Sequence, residues 1–593
     1  MPPALQVYVS EVRCSFSGRI ELHPLHKPNE LPLTEAAQKT NQWKVAPTGS
    51  LLVFAWLALL ELLTFGKGIS GAWFYLDDWT MLHSLHFAPK SFFEAIGFYL
   101  LHDPRVTLRP LEALHFVSLY ALFGEKALGY HIAYAVFDVA AIWIFYLLLR
   151  DLFGKPSLAF LAATLALIDP RHDSTHYWVM CNSVSVSLLL SMLSLRFSLA
   201  ACRNKQPKLH WLSLFCFTLM VFNYELFLPF LLLNAAIIAA HRERAARAKS
   251  FLTWTAIFAT PVVAALAYQK FLVPLFVTPF VHGIVLDPIE MFCTIKDGLA
   301  LQILPVYFEV LDKHIRLNYS DYAKLSSLWI AASGAVCAAI FIYLNQRKDT
   351  QQQQPAKNAS LSMMLWGLFT IVVGYSIFGL NKEYHPGIET IFNRVNTGPS
   401  LGGAMFFAGA CGCIINAGKN SPLKVVATPL AALLTMGITC SYITLSQIFQ
   451  KPWLTARSVQ QNIQSIVAEH AADFKDNDSI LLANCPRYVN WTPVYDGVWD
   501  FERMLQITTQ SNKIHGSVTC ERLQVSKEKI QDISSGYLCG TYKFPQIYVL
   551  LPDKRQITPT PSAAQFIELV EREGRHFGLS QETIDLWKTE AAK

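Results

Sequence analysis

Charge is scarce in this chain. Only 16% of its 593 residues are Asp, Glu, Lys or Arg, while 52% are hydrophobic; a soluble domain carries about 25% charge. So little charge over such a length excludes an ordinary soluble protein and points to a bilayer as solvent. Paired cysteines are missing too. The twelve cysteines include no CxxC pair and no metal-type spacing with histidine, and most lie in apolar runs, where cysteine acts as a small buried hydrophobe. The first fifty residues have no apolar h-region, so no cleavable signal peptide is expected. They are expected to form a disordered cytoplasmic tail, 1–50. No repeat of about 34 residues is visible, which excludes the common solenoids. The net charge is +6, but the Lys and Arg are scattered over short loops. That suits membrane orientation and excludes a nucleic-acid partner.

What is present is a series of apolar runs. They predict helices near 51–69, 128–150, 157–169, 181–200, 209–223, 226–240, 251–273, 325–345, 361–380, 399–417 and 423–447, about eleven in all. The expected fold is therefore mainly α: a polytopic transmembrane bundle over 51–447, followed by a small extracytoplasmic α/β domain over 448–593. Alternate loops carry the basic residues: Arg150 and Lys155; Arg203, Lys205 and Lys208; Arg242, Arg244, Arg247 and Lys249; Arg347 and Lys348; Lys419 and Lys424. The positive-inside rule makes these loops cytoplasmic. The N-terminus is then cytoplasmic and the C-terminus extracytoplasmic, which an odd helix count allows. The glutamine run at 351–354 reads as a solvated linker. In the outer loop 70–127, Phe92–Leu101 and Leu111–Phe123 read as helices lying in the interface. In the last domain, Ile480–Ala483 and Ile547–Leu551 read as strands. Cys520 and Cys539 bracket one short outer segment, and a bridge between them is expected.

Several polar groups stand out. Asp77 and Asp78 adjoin just after the first apolar run and could supply a general base or hold a divalent metal; the plainer alternative is a helix cap. Arg109, before Pro110, could grip a phosphate, or merely snorkel at the headgroup level. The short stretch Asp169 to Trp178 crowds in Arg171, His172, Asp173 and His176, with no metal-specific spacing. Glu225 lies in an apolar stretch, where a carboxylate is expensive. Glu61 and Asp138 also lie within apolar helices and are expected to be partnered, structural groups. Lys382 and Arg394 fall in a late outer loop. With Arg109 they would form a cationic cluster suited to a lipid phosphate.

The order Arg109-Pro-Leu, Leu122-Phe-Gly, Gly129-Tyr-His131, Asp169-Pro170-x-His172, Trp178 and Tyr224-Glu225…Pro229 resembles the GT-C fold membrane glycosyltransferases. The closest likeness is to the membrane half of the transmembrane and tetratricopeptide-repeat O-mannosyltransferases and their bacterial relatives. It covers about residues 50–240, with an echo at Asn393-Arg394-Val395-Asn396. The pattern departs at Tyr134, Asp138, Ser174 and Tyr224, where that family usually has Asn, His, an acid and Lys, and no tetratricopeptide repeats follow. The resemblance implies an inverting enzyme that takes a sugar from a polyprenyl-phosphate donor at the outer face of a membrane, the inner membrane if the source is bacterial, and passes it to a protein or glycan acceptor. It implies Asp77 and Asp78 as the catalytic carboxylates. Arg109, His172, Asp173, Glu225, Lys382 and Arg394 would line the substrate site, and any metal requirement is left open. The competing readings are a transporter or flippase of lipid-linked saccharide and a non-catalytic relative. The sequence has no repeated halves of the kind many transporters show, which favours the enzyme.

Overall fold

The computed structural model describes residues 48–277, 287–303, 326–347, 358–380, 384–388, 391–418, 424–534, 537–573 and 579–592. The expected N-terminal tail (apart from its last three residues), the glutamine run and Lys382 lie outside the described residues.

All eleven expected helical segments are present. They are α1 (Thr48–Ser70), α5 (Ala127–Phe153), α6 (Pro156–Leu167), α7 (Asn182–Asn204), α8 (Pro207–Asn223), α9 (Leu231–Ala240), α10 (Arg247–Ala267), α12 (Ser326–Gln346), α13 (Ala359–Ser376), α14 (Thr397–Gly418) and α15 (Lys424–Glu469). Between α1 and α5 run α2 (Asp77–His86), α3 (Phe92–His102) and α4 (Pro110–Phe123); α11 (Pro288–Ile303) precedes α12. Among the described residues, eight helices are long and apolar enough to cross a bilayer. Their outward faces leave large apolar side chains such as Leu62, Val136, Leu252 and Leu433 exposed, a surface that water would reject and hydrocarbon accepts. The chain is an integral, multi-pass membrane protein.

The exceptions to full length have reasons. Helix α6 has only 12 residues, about 18 Å of helix against about 30 Å of hydrocarbon. Every residue from Ser157 to Leu167 is buried, so α6 is a core element enclosed by its neighbours. The segment after it, 168–178, starts inside the bundle and is buried throughout. Although its residues are polar, the shortness of α6 makes the segment part of the core. Helix α9 is likewise short and is entered through a 3-10 turn at Glu225–Phe230 containing Pro229.

The bundle does not end at 447. Helix α15 runs for 46 residues, about 69 Å, and leads into the C-terminal region without a break at 448. There β1 (Ser479–Leu482), β4 (His515–Val518), β8 (Ile547–Leu551) and β9 (Gln556–Pro559) form a sheet in the order β4-β1-β8-β9. β1 is parallel to both neighbours, with Ile480 opposite Tyr548, and β9 closes the edge antiparallel. A hairpin of β2 (Tyr488–Val489) and β3 (Thr492–Pro493) and an antiparallel sheet of β5 (Leu523–Val525), β6 (Lys529–Ser534) and β7 (Tyr537–Lys543) complete it, with α16 (Arg503–Thr509), α17 (Ala563–Glu573) and α18 (Gln581–Ala592). Strand β1 is buried on both faces, as the parallel arrangement requires. The expected bridge does not form: Cys520 and Cys539 are both free, Cys520 buried beyond β4 and Cys539 on β7.

Candidate active site

The segment 71–76 leaves α1 and turns at Leu76, a non-glycine residue at φ 48°. Helix α2 then opens on Asp77 and Asp78. The two neighbours are used differently. Asp78 is fully buried. Its Oδ2 accepts from the backbone N–H of Tyr75 (2.8 Å) and Val179 (3.1 Å), and its Oδ1 from that of Met180 (2.7 Å). Burial raises its affinity for a proton, against the pull of those three donors. Its three partners lie outside α2, so Asp78 does not serve as the helix cap that was the plainer alternative; it fastens the turn before α2 to the start of the seventh helix. Asp77 is one-third exposed, with Oδ2 2.7 Å from Arg105 Nη1. Its other oxygen has no partner among the described residues.

Arg105 is held by a local device. Asp103 precedes Pro104 and caps the short helix Pro104–Thr107 by accepting from Arg105 N (3.0 Å), while the guanidinium of Arg105 folds back onto the same carboxylate at 3.0 and 3.1 Å. The sequence repeats this at Asp169-Pro170-Arg171. There Asp169 accepts from Arg171 N (2.9 Å) and from its guanidinium Nε (2.8 Å), and both residues are buried.

Arg109 stands at the head of α4. It forms a two-pronged ion pair with Glu225, Nε to Oε2 at 2.7 Å. It also lies 4.3 Å over the Tyr224 ring and 3.7 Å from the buried Glu112. The two residues expected to face substrate therefore face each other, and Arg109 carries no uncompensated charge. Arg394 differs. It lies among the rings of Trp178 (4.9 Å), Phe392 (5.4 Å) and Tyr384 (5.8 Å), and among the described residues no carboxylate pairs with it. Tyr224 interacts with both arginines. Arg394, Asp77, Asp78 and Glu112 all lie within electrostatic reach of the buried thiol of Cys181.

His172 and Asp173 sit beneath this cluster and are buried. His172 Nδ1 meets Thr175 Oγ1 at 3.1 Å. Asp173 accepts from Trp453 Nε1 on α15 at 2.8 Å and from the side-chain amide of Asn393. Asp173 thereby ties its segment to α15 and to Asn393, whereas His172 contacts its own segment. Sequence reasoning missed Arg105 and Glu112; the repeated Asp-Pro-Arg triplet was the signal available for the first.

Comparison with protein-family models finds no match, and comparison with curated proteins finds none. Among solved structures, the chain is similar to ArnT from Cupriavidus metallidurans bound to undecaprenyl phosphate, at 12% identity over 79% of this chain and 86% of that one, with a TM-score of 0.36. The apo structure of ArnT aligns at 13% identity over 80% and 86%, TM-score 0.35. The oligosaccharyltransferase AglB from Archaeoglobus fulgidus, in complex with an inhibitory peptide and a dolichol-phosphate, aligns at 11% identity over 78% of this chain and 64% of that one, TM-score 0.37. Identities and scores this low fix neither the activity nor the donor.

Proposed function

We propose that the chain is a membrane glycosyltransferase of the GT-C type, transferring a sugar from a polyprenyl-phosphate donor to an acceptor hydroxyl at the face that carries α2–α4 and the C-terminal region. One observation carries this reading. A carboxylate with a free oxygen, Asp77, and a guanidinium without a carboxylate partner among the described residues, Arg394, both lie within electrostatic reach of Cys181 at the start of α7. A base and an anion holder in one place are what transfer from a phosphate ester needs.

Asp77 takes the proton of the acceptor hydroxyl. The oxygen attacks the anomeric carbon from the side opposite the phosphate and inverts it. The bond from that carbon to the phosphate oxygen breaks, and the electron pair leaves with the polyprenyl phosphate, whose charge Arg394 offsets. Arg105 holds Asp77 in orientation. Asp78 sets the turn from which Asp77 projects. The Arg109–Glu225 pair positions Tyr224 beside Arg394, and Asp173 ties the segment 168–178 to Trp453 and Asn393. The donor tail lies against the apolar helices, and the face is extracytoplasmic, in keeping with the basic loops at the opposite end.

The test is transfer by purified protein in detergent, supplied with a panel of labelled polyprenyl-phosphate sugars. Transfer from at least one donor is expected, with Arg394→Ala raising the donor KM at least tenfold. Failure with every donor, together with movement of lipid-linked saccharide across liposomes, would replace this reading with a flippase.

A further inference from the structure

A second polar cluster lies deeper in the bundle, apart from the groups just described. Glu61 projects from α1, Asp138 from α5 and His176 from the buried segment after α6. One ligand atom from each lies within 4.8 Å of the others, and all three side chains are at most 3% exposed. Glu61 stands nine residues before the end of α1, and Asp138 eleven after the start of the antiparallel α5. At 1.5 Å per residue both sit about 13–17 Å below the same end of the bundle. The short α6 is what lets His176 reach that depth.

The cluster is unsatisfied. Neither oxygen of Glu61 and neither ring nitrogen of His176 has a hydrogen-bond partner among the described residues, and the approach of His176 Nδ1 to Glu61 Oε1 stops at 3.8 Å. The imidazole is held by packing: it stacks on Phe65 at 3.7 Å and 13° and lies nearly parallel to His172 at 5.6 Å. Buried polar groups without partners are costly, and two carboxylates away from water more so. A divalent cation removes both problems. Two carboxylates, one neutral imidazole and one dication sum to zero charge, and the one ligand atom that each residue offers gains a partner.

We propose that Glu61, Asp138 and His176 form a structural metal site for a first-row divalent cation, zinc foremost. Zinc accepts mixed carboxylate and imidazole ligands, and three protein ligands leave a fourth position for water. Tetrahedral bonds of about 2.0–2.1 Å set ligand atoms ~3.3 Å apart, so the site closes by small side-chain rotations. Bound there, the metal ties α1, α5 and the segment 168–178 together. That segment leads directly into Val179 and Met180, whose N–H groups hold Asp78. The ion thus acts on the arrangement of the outer loops and touches no reacting atom.

Elemental analysis of the full chain purified in detergent without added metal tests this. About one zinc per chain is expected in the wild type and in Asp77→Asn, and less than a fifth of that in Glu61→Gln and Asp138→Asn. Stripping the wild type with a chelator should lower its apparent melting temperature, and zinc alone should restore it. If the variants fail to purify, the wild-type measurements decide. Metal-free wild type with no response to zinc would overturn the site. Metal that survives both helix substitutions, or is lost in Asp77→Asn, would place the ion elsewhere and overturn it equally.

Discussion

Replacing each of the adjacent carboxylates by its amide separates a catalytic group from a positioning one. In Asp78→Asn the side chain keeps one acceptor oxygen where two served three N–H donors. Turned one way it abandons Met180; turned the other it abandons Tyr75 and Val179. Each buried donor left unmatched costs about 1–3 kcal/mol, so the loss is at least of that order. Asp77→Asn gives up one partly exposed contact with Arg105, the kind of pair worth about 0–1 kcal/mol. Its effect falls on chemistry, where loss of a general base costs typically 10²–10⁴-fold. The assay pairs thermal unfolding in detergent with sugar transfer normalised to folded protein. Asp78→Asn should melt several degrees lower and keep most of its specific turnover. Asp77→Asn should melt like the wild type and lose at least a hundredfold in rate. The reverse pattern, with Asp77→Asn active and Asp78→Asn stable but dead, would refute the assignment.

Three further outcomes are expected. Arg109→Ala strands Glu225 and the buried Glu112 and removes the cation stacked on Tyr224, so it should lower both stability and donor affinity; Arg109→Ala combined with Glu225→Gln should recover part of the stability, measured by unfolding and by KM. His83, near Arg503 and His86, is held down to about 4 by burial first and by those cations second. An unfolded imidazole titrates near 6.5, so between pH 6.5 and 4 the unfolded chain binds the extra proton. Stability should fall as pH drops through that window, and His83→Gln should flatten the slope of melting temperature against pH. Finally, single cysteines introduced at 245 and 515 into a background lacking other reactive thiols should label from opposite sides of intact cells, 245 from the cytoplasm; labelling of both from one side would sink the proposed orientation.

The helices were legible because apolar runs of about twenty residues have few alternatives, and β1 and β8 because buried parallel strands read as short apolar runs. The end of α15 was not. From 448 to 469 its residues turn polar while the helix continues, so the composition changes where the backbone does not. The site was legible as a set of charges and not as a set of pairs. Arg109 and Glu225 each stood out as a charge in an apolar setting. Their separation of 116 residues hid that they neutralise each other and leave Arg394 as the proposed anion holder. The role of Asp78 was hidden because two of its three partners are backbone N–H groups about a hundred residues away, which carry no sequence signature. Glu61, Asp138 and His176 were each visible, but only the shortness of α6 brings the third to the depth of the first two.

The Asp-Pro-Arg triplet bears on how this chain enters a membrane at all. A buried ion pair assembled from distant helices must carry both charges into hydrocarbon before they meet, and each unpaired charge there is costly. Asp169 and Arg171 are two residues apart, with Pro170 fixing the intervening turn. Closing so short a loop forfeits little chain entropy, so the pair can form in the nascent segment itself. What the translocation machinery receives is then an electrically neutral knot. Arg171 reaches the core with its countercharge attached and keeps further donors for Leu301, Gln302 and Tyr442. A charged locking pin thus travels in its own sheath until the later helices arrive to receive it.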